Sequence, residues 1–186
     1  MLERCRQIQL LLNLKKCIFF TPIGILLGHV VCKDGIKVDM GKIKIILNLK
    51  PPTNPKQIRV FLGHTGYYWK FIIQYSDITC PLDELLQQGV EFTWSKECND
   101  SFEMLKRKLV EAPILKFPNW SIRFHVHIDA SAIAVGAVLA QPYDEVDHPN
   151  SYASQKLKSV ERNYSTTERE ALGMVFSLQK FRHWNI

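Results

Sequence analysis

The chain has 186 residues, 46% of them hydrophobic and 23% charged, with a net charge of +6, enough apolar material for one large or two small domains and too much for a disordered tail. Charges in MLERCRQIQ occupy the place of a signal peptide's apolar segment. The longest apolar candidate, Ile23 to Cys32, is too short to span a bilayer and is broken by Gly28 and His29, so no membrane partner and an intracellular setting are expected. Five cysteines, odd in number and without a C-x-x-C pair, argue against a disulfide framework or a zinc site.

In chain order, Leu2 to Leu12 reads as a helix, Cys17 to Phe20 as a short apolar element, and Ile25 to Cys32 with Gly35 to Val38 as a hairpin about Lys33-Asp34-Gly35. Gly41 to Leu49 reads as a helix with Ile43, Ile46 and Leu47 on one face. It stops at Lys50-Pro51-Pro52, because the residue before a proline disfavours the helical region. Asn54 as cap and Pro55 at the first position start the next helix. Beyond Ile58, Phe61 and Leu62 lies the aromatic and basic cluster Gly66-Tyr67-Tyr68-Trp69-Lys70-Phe71, which either stacks on nucleic acid or belongs to a core. One further helix is predicted after Ser76-Asp77, carrying Leu82, Leu85 and Leu86. Another follows Ser95, carrying Cys98, Phe102, Leu105 and Leu109 at i, i+4, i+7 and i+11.

From Ile122 the period falls to two. Phe124, Val126 and Ile128 point one way, and Arg123, His125, His127 and Asp129 the other, as in a half-buried strand. Ala134 to Gln141 reads as a second strand whose Gly136 admits a close backbone, the acidic PYDEVDHPN as a turn, and Ser151 to Lys156 as a third strand. A helix from about Thr167 is predicted to turn Ala171, Met174, Val175, Leu178 and Phe181 inward. Strand, strand, strand, helix makes this part α/β with an antiparallel start.

Charge is unevenly placed. Residues 1–75 hold 12 Lys and Arg against three acids, a net +9, and residues 76–186 hold 12 against 15, a net −3. A face that neutralises phosphates has this signature, as does an ordinary solvated lysine surface. Asp129 ends a strand on its polar side, and Glu170 lies in the first turn of the last helix. Two carboxylates converging there suit Mg²⁺ or Mn²⁺. Each has another reading: an Asx turn with Ser131 for Asp129, and a capping box, Thr167-x-x-Glu170 or Ser165-x-x-Glu168, for the helix start. No G-x-S-x-G or phosphate-loop motif occurs, so serine hydrolysis and nucleotide cradling lack support.

Several long motifs, in order, carry a family likeness: LNLKKC (Leu12 to Cys17), LLGHVVCKDGIKVD (Leu26 to Asp39), PPTNPKQIRVFLGHTGYYWKFI (Pro51 to Ile72), CPLDELL (Cys80 to Leu86), FTWSKECNDSFEMLKRKLVEAPIL (Phe92 to Leu115), IDASAIAVGAVLAQ (Ile128 to Gln141) and YASQKLKSVERNYSTTEREAL (Tyr152 to Leu172). Through them the chain resembles the Pol polyprotein of gypsy-like long-terminal-repeat retrotransposons. The likeness runs from the end of the reverse transcriptase palm through thumb and connection into the ribonuclease H (RNase H) domain. The implied architecture is α+β followed by α/β: a primer-holding hairpin over 1–50, a helical thumb and connection over 51–118, and the N-terminal part of an RNase H-like domain over 119–186. The implied partners are a template–primer duplex or an RNA–DNA hybrid, met through Gly28, His29, Lys56, Arg59, Tyr67 and Lys70, and the remainder of the polyprotein. Asp129 and Glu170 match the first two carboxylates of a site that holds two Mg²⁺ (or Mn²⁺) ions in the complete enzyme and cleaves the RNA of a hybrid. Glu168 is assigned to capping.

The sequence also departs from the family. No Tyr-x-Asp-Asp turn occurs in it, and the two remaining RNase H aspartates are expected beyond Ile186. Leu26 stands where Phe is usual, Met40 where Pro is, Trp69 where a basic residue is, and Gly173 interrupts a helix at a cost of roughly 1 kcal/mol relative to Ala. Two readings result: a segment of a reverse transcriptase and RNase H, or a catalytically dead remnant that only binds nucleic acid through residues 1–75.

Overall fold

The computed structural model describes residues 2–184, apart from the Leu14 side chain. A short helix α1 (Leu2–Gln7) buries no residue, and without a packed face it ends well before Leu12. A 3₁₀ turn, Leu14–Lys16, follows, and Cys17 to Phe20 forms no strand. The first sheet is an antiparallel meander of β1 (Ile23–Leu26), β2 (His29–Cys32) and β3 (Gly35–Val38). The apolar run Ile25 to Cys32, expected as one element, is broken at Leu27-Gly28, whose φ angles of 45° and 69° make a tight two-residue hairpin turn. Gly35 opens β3 at φ 138°, and a Cβ there would lie 2.2 Å from the Leu115 carbonyl oxygen. That closeness lets Ile36 and Leu115 exchange both backbone hydrogen bonds, tying the hairpin to the segment after α6 (Lys96–Val110).

Helix α2 (Met40–Leu47) is capped by Asp39, whose carboxylate accepts from Gly41 N at 2.9 Å. Asn54 caps α3 (Pro55–Gly66) by accepting from Gln57 N at 3.0 Å. The single helix expected after Ser76-Asp77 is two short ones, α4 (Tyr75–Ile78) and α5 (Cys80–Glu84). Pro81 lacks the N–H that would carry one helix through. In α6, Cys98, Phe102, Leu105 and Leu109 are all buried, as their spacing demands. They meet Ile43, Ile58, Phe61 and Tyr68 in one core, with the Phe61 and Phe102 rings 4.4 Å apart. Lys106 is drawn into this core's rim, where its Nζ donates to the Leu49 carbonyl at 2.7 Å, so the buried ammonium is not left bare.

The second sheet is the antiparallel set β4 (His125–Ala130), β5 (Ala134–Tyr143) and β6 (Val146–Lys156). Most of PYDEVDHPN, expected as a turn, is strand: only Asp144-Glu145 turn, with φ of 50° and 64°. Its two prolines fall where a ladder tolerates them. Pro149 is on edge strand β6 at a bulge, and Pro142 lies past the last residue that β4 pairs.

Helix α7 (Thr166–Phe181) covers one face of this sheet through Gly173, Phe176, Ser177 and Phe181, against Val135, Ala137 and Leu139. Of the five residues expected inward, only Phe181 is. Met174, Val175 and Leu178 are 57, 51 and 55% exposed, and Ala171 is exposed too. The larger apolar stripe was the wrong guide, because the contact uses small residues: a Cβ on Gly173 would stand 2.6 Å from Ile128 Cγ2. The other face of the sheet rests on the helical unit. Ser76 N donates to Ser154 Oγ at 2.9 Å, Lys156 pairs with Asp83 at 2.6 Å, and Tyr152 packs on the first core. Among the described residues, no helix is long and apolar enough to cross a membrane.

Candidate nucleic-acid interface and carboxylate site

The β1–β2 turn is locked to the end of α3 by two hydroxyls. Tyr67 Oη donates to the Leu27 carbonyl, and Tyr68 Oη to the Gly28 carbonyl at 2.8 Å. The lock needs glycine: at φ 69° a Cβ on Gly28 would lie 2.2 Å from Lys42 Nζ and 3.1 Å from Tyr67 Oη. His29 stacks on Tyr67 at 5.1 Å and on Phe71 at 5.6 Å, and its Nδ1 lies 3.0 Å from the Leu27 carbonyl. Burial pushes the Tyr68 hydroxyl above its ordinary range, so it stays a neutral donor. Tyr67 is nearly half exposed, with Lys42 Nζ 4.9 Å from its ring centre.

Gly28, His29 and Tyr67 are thus brought together. Lys56 and Arg59 are exposed on α3, a different stretch of the same helical unit, and Lys70 is exposed beside Trp69. Tyr68, read in the sequence as a member of a cluster that stacks on nucleic acid or belongs to a core, is in the core. Lys42 was missed by sequence reasoning, its one sign being a lysine one turn after Asp39.

Asp129 lies on the face of β4 opposite Ile128, exposed at the strand's end. It makes no Asx turn. Ser131 builds that turn itself: its Oγ accepts from Ile133 N and Ala134 N and donates to Asp77. The Asp129 carboxylate instead accepts from Gln74 Nε2, at the start of α4. Gln74 stands in the left-handed region at φ 53°, and its Cγ lies 3.4 Å from where a Gly136 Cβ would be. Gln74 carried no sequence signal, since glutamine has no preference for that conformation.

At the α7 start, the capping box is formed by Ser165 and Glu168. Glu168 Oε2 accepts from Ser165 N at 2.8 Å, and Ser165 Oγ accepts from Glu168 N at 3.3 Å. The Ser165 backbone N–H holds the Glu168 carboxyl below its usual range. Glu170 stays outside the box, exposed, one turn before Gly173 and next to Arg169, whose guanidinium donates to the Ser131 carbonyl at 2.9 Å. Ile128 faces α7, so Asp129, on the opposite face of β4 and bonded to Gln74, does not face the helix that carries Glu170.

Oxygen donors of this kind suit a hard divalent cation. A two-ion site asks for more of them. Among the described residues, no group of three or more His, Cys, Asp or Glu side chains is arranged to hold a metal ion. The residues present do not by themselves fit the pair of ions.

Residues 94–186 match the family described as the RNase H-like domain found in reverse transcriptase. The chain belongs to that family. Nearly its whole length is similar to retrotransposon Pol polyproteins: it is 42% identical over 174 residues to the Pol polyprotein from transposon 297 and 38% over 181 to that from transposon opus, both of Drosophila melanogaster, and 33% over 184 to the Tf2-3 polyprotein of Schizosaccharomyces pombe. These alignments cover 93, 91 and 98% of the chain but 16, 18 and 14% of the polyproteins, so the chain spans less than a fifth of the relatives it matches. It is a retrotransposon Pol segment.

Among solved structures, the foamy viral protease-reverse transcriptase in complex with an RNA/DNA hybrid superposes with a TM-score of 0.78 at 22% identity, over 97% of this chain and 25% of that one. The same enzyme in complex with dsDNA also gives 0.78, at 21% identity, over 91% and 36%. At that identity the likeness establishes the fold: an RNase H-like portion in a mixed α/β chain with two small sheets.

Proposed function

We propose that this segment serves a reverse transcriptase and RNase H by carrying an RNA–DNA hybrid or template–primer duplex along residues 1–118 toward the β4–α7 corner. The hairpin of β1 and β2 acts as the primer-holding element at the palm's end (1–50), α3 to α6 as thumb and connection (51–118), and residues 119–186 as the beginning of the RNase H-like domain. The observation that carries this reading is the hydroxyl lock. Tyr67 and Tyr68 fix the Leu27-Gly28 turn to α3, so a rigid hairpin and a basic helix move as one body.

Gly28 and His29 would meet the primer end, and Lys56, Arg59, Tyr67 and Lys70 the phosphates and sugars. Such contacts are blind to sequence and release counterions. Asp129 and Glu170 would supply two of the oxygen ligands for Mg²⁺ or Mn²⁺ in the complete polyprotein, where the metals provide the hydrolytic chemistry.

Affinity for a fluorescent RNA–DNA hybrid, titrated with salt, tests the assignment. Lys56→Gln and Arg59→Gln should each lower the slope of log affinity against log salt by about one. Unchanged slopes in both variants would remove α3 from the interface.

A further inference from the structure

A cavity of about 350 Å³ opens where the 3₁₀ turn Trp69–Phe71 meets the end of α7. Trp69 and Lys70 line one side, Lys180, Arg182, His183 and Trp184 the other, and among the described residues no carboxylate side chain lines it. Among the described residues, none of Lys70, Lys180 and Arg182 pairs with an acid. Two of these cations are held by an indole instead: Lys180 Nζ lies 4.8 Å and Lys70 Nζ 5.7 Å from the Trp69 ring centre. Trp184 is half-buried and stacks on Trp120 at 5.9 Å, with an angle of 29° between the planes. A half-buried indole with two ammonium groups over its ring and no acid paired to them holds both halves of a nucleotide site, since a base can take an ammonium's place on the ring and its phosphate can draw that ammonium to itself. The volume is at the small end for ligand cavities, about 300 to 1,000 Å³, which fits one base with its phosphate. A base paired in a duplex keeps its faces covered.

The geometry points to a subsite for one nucleotide of an unpaired strand, its base against Trp69 and its phosphate drawn by Lys180, Arg182 and Lys70. It rests on the reading of the chain as a nucleic-acid-binding segment, but, Lys70 apart, on residues outside the contacts proposed for the hybrid. An acidic peptide would satisfy the cations and leave the indoles unused.

The test is fluorescence anisotropy of the full chain with a labelled oligothymidylate of about 12 nucleotides and, in parallel, with an RNA–DNA hybrid. Trp69→Ala should weaken oligothymidylate binding about ten-fold and leave hybrid binding unchanged, and Trp69→Phe should retain most of the affinity. Lys180→Gln and Arg182→Gln should each lower the oligothymidylate salt slope by about 0.7, the single-strand value per phosphate, which keeps the test decisive if Trp69→Ala fails to fold. Wild-type affinity in Trp69→Ala, equal losses for the two probes, or salt slopes unmoved by both charge variants would overturn the subsite. If the wild-type chain binds hybrid but not oligothymidylate, the subsite alone falls. If it binds neither, the proposed function falls with it.

Discussion

Gly173 was legible in the sequence only as a fault, a residue that weakens a helix. The structure gives it a task, because it lets α7 lie against Ile128. Overpacking in Gly173→Ala should cost about 1 to 3 kcal/mol against the roughly 1 kcal/mol that alanine adds in helix propensity, so the variant should be less stable by up to about 2 kcal/mol. Chemical denaturation checks this, and a stabilised variant would contradict the contact. Asp129 was legible as a strand-end carboxylate, because the alternation from Phe124 to Asp129 fixes its face. Its partner was not, since Gln74 lies far off in sequence and adopts a conformation glutamine does not advertise. Among the described residues no three carboxylate or other ligand side chains are grouped to hold a metal ion, so the chain supplied with Mg²⁺ should leave the RNA of a hybrid intact. Mg²⁺-dependent cleavage by purified protein, abolished in Asp129→Asn, would contradict that expectation.

At the scale of elements, caps and buried stripes could be read where one residue type answers one need: Asn54 with Pro55 at α3, and the four buried residues of α6. Faces were misread where small residues make the contact, as in α7, and lengths where a turn hides in a polar run, as at Asp144-Glu145. The junction of α3 and α4 offers a pH test. Tyr75 Oη lies 3.0 Å from Thr65 Oγ1, and burial pushes its hydroxyl up to about 12. A folded pKa raised above the unfolded value of 10.0 stabilises fully below pH 10, and that contribution is lost as pH rises from there through about 12. Tyr75→Phe should therefore flatten the loss of stability on the alkaline side, measured by urea unfolding between about pH 9 and 11. An unchanged alkaline limb would show that the hydroxyl ionises as freely in the folded chain as in the unfolded one.

For the whole molecule, the motif order announced the family, while the charge asymmetry fitted a polyanion-facing surface and an ordinary solvated one alike. What neither conveyed was how the parts are joined. Ser76 to Ser154, Asp83 to Lys156, and Tyr152 on the first core dock the second sheet on the helical unit through residues far apart in sequence. That docking makes one continuous support from the Gly28 turn to Asp129, with a net +9 over residues 1–75 and −3 over the rest. The central claim is that this support holds an RNA–DNA hybrid by its phosphates. The most direct test is the affinity of the full chain for a hybrid between about 50 and 200 mM salt: with several phosphates neutralised it should fall by roughly 100-fold or more, linearly in log salt, whereas an affinity that stays flat across that range would contradict the account.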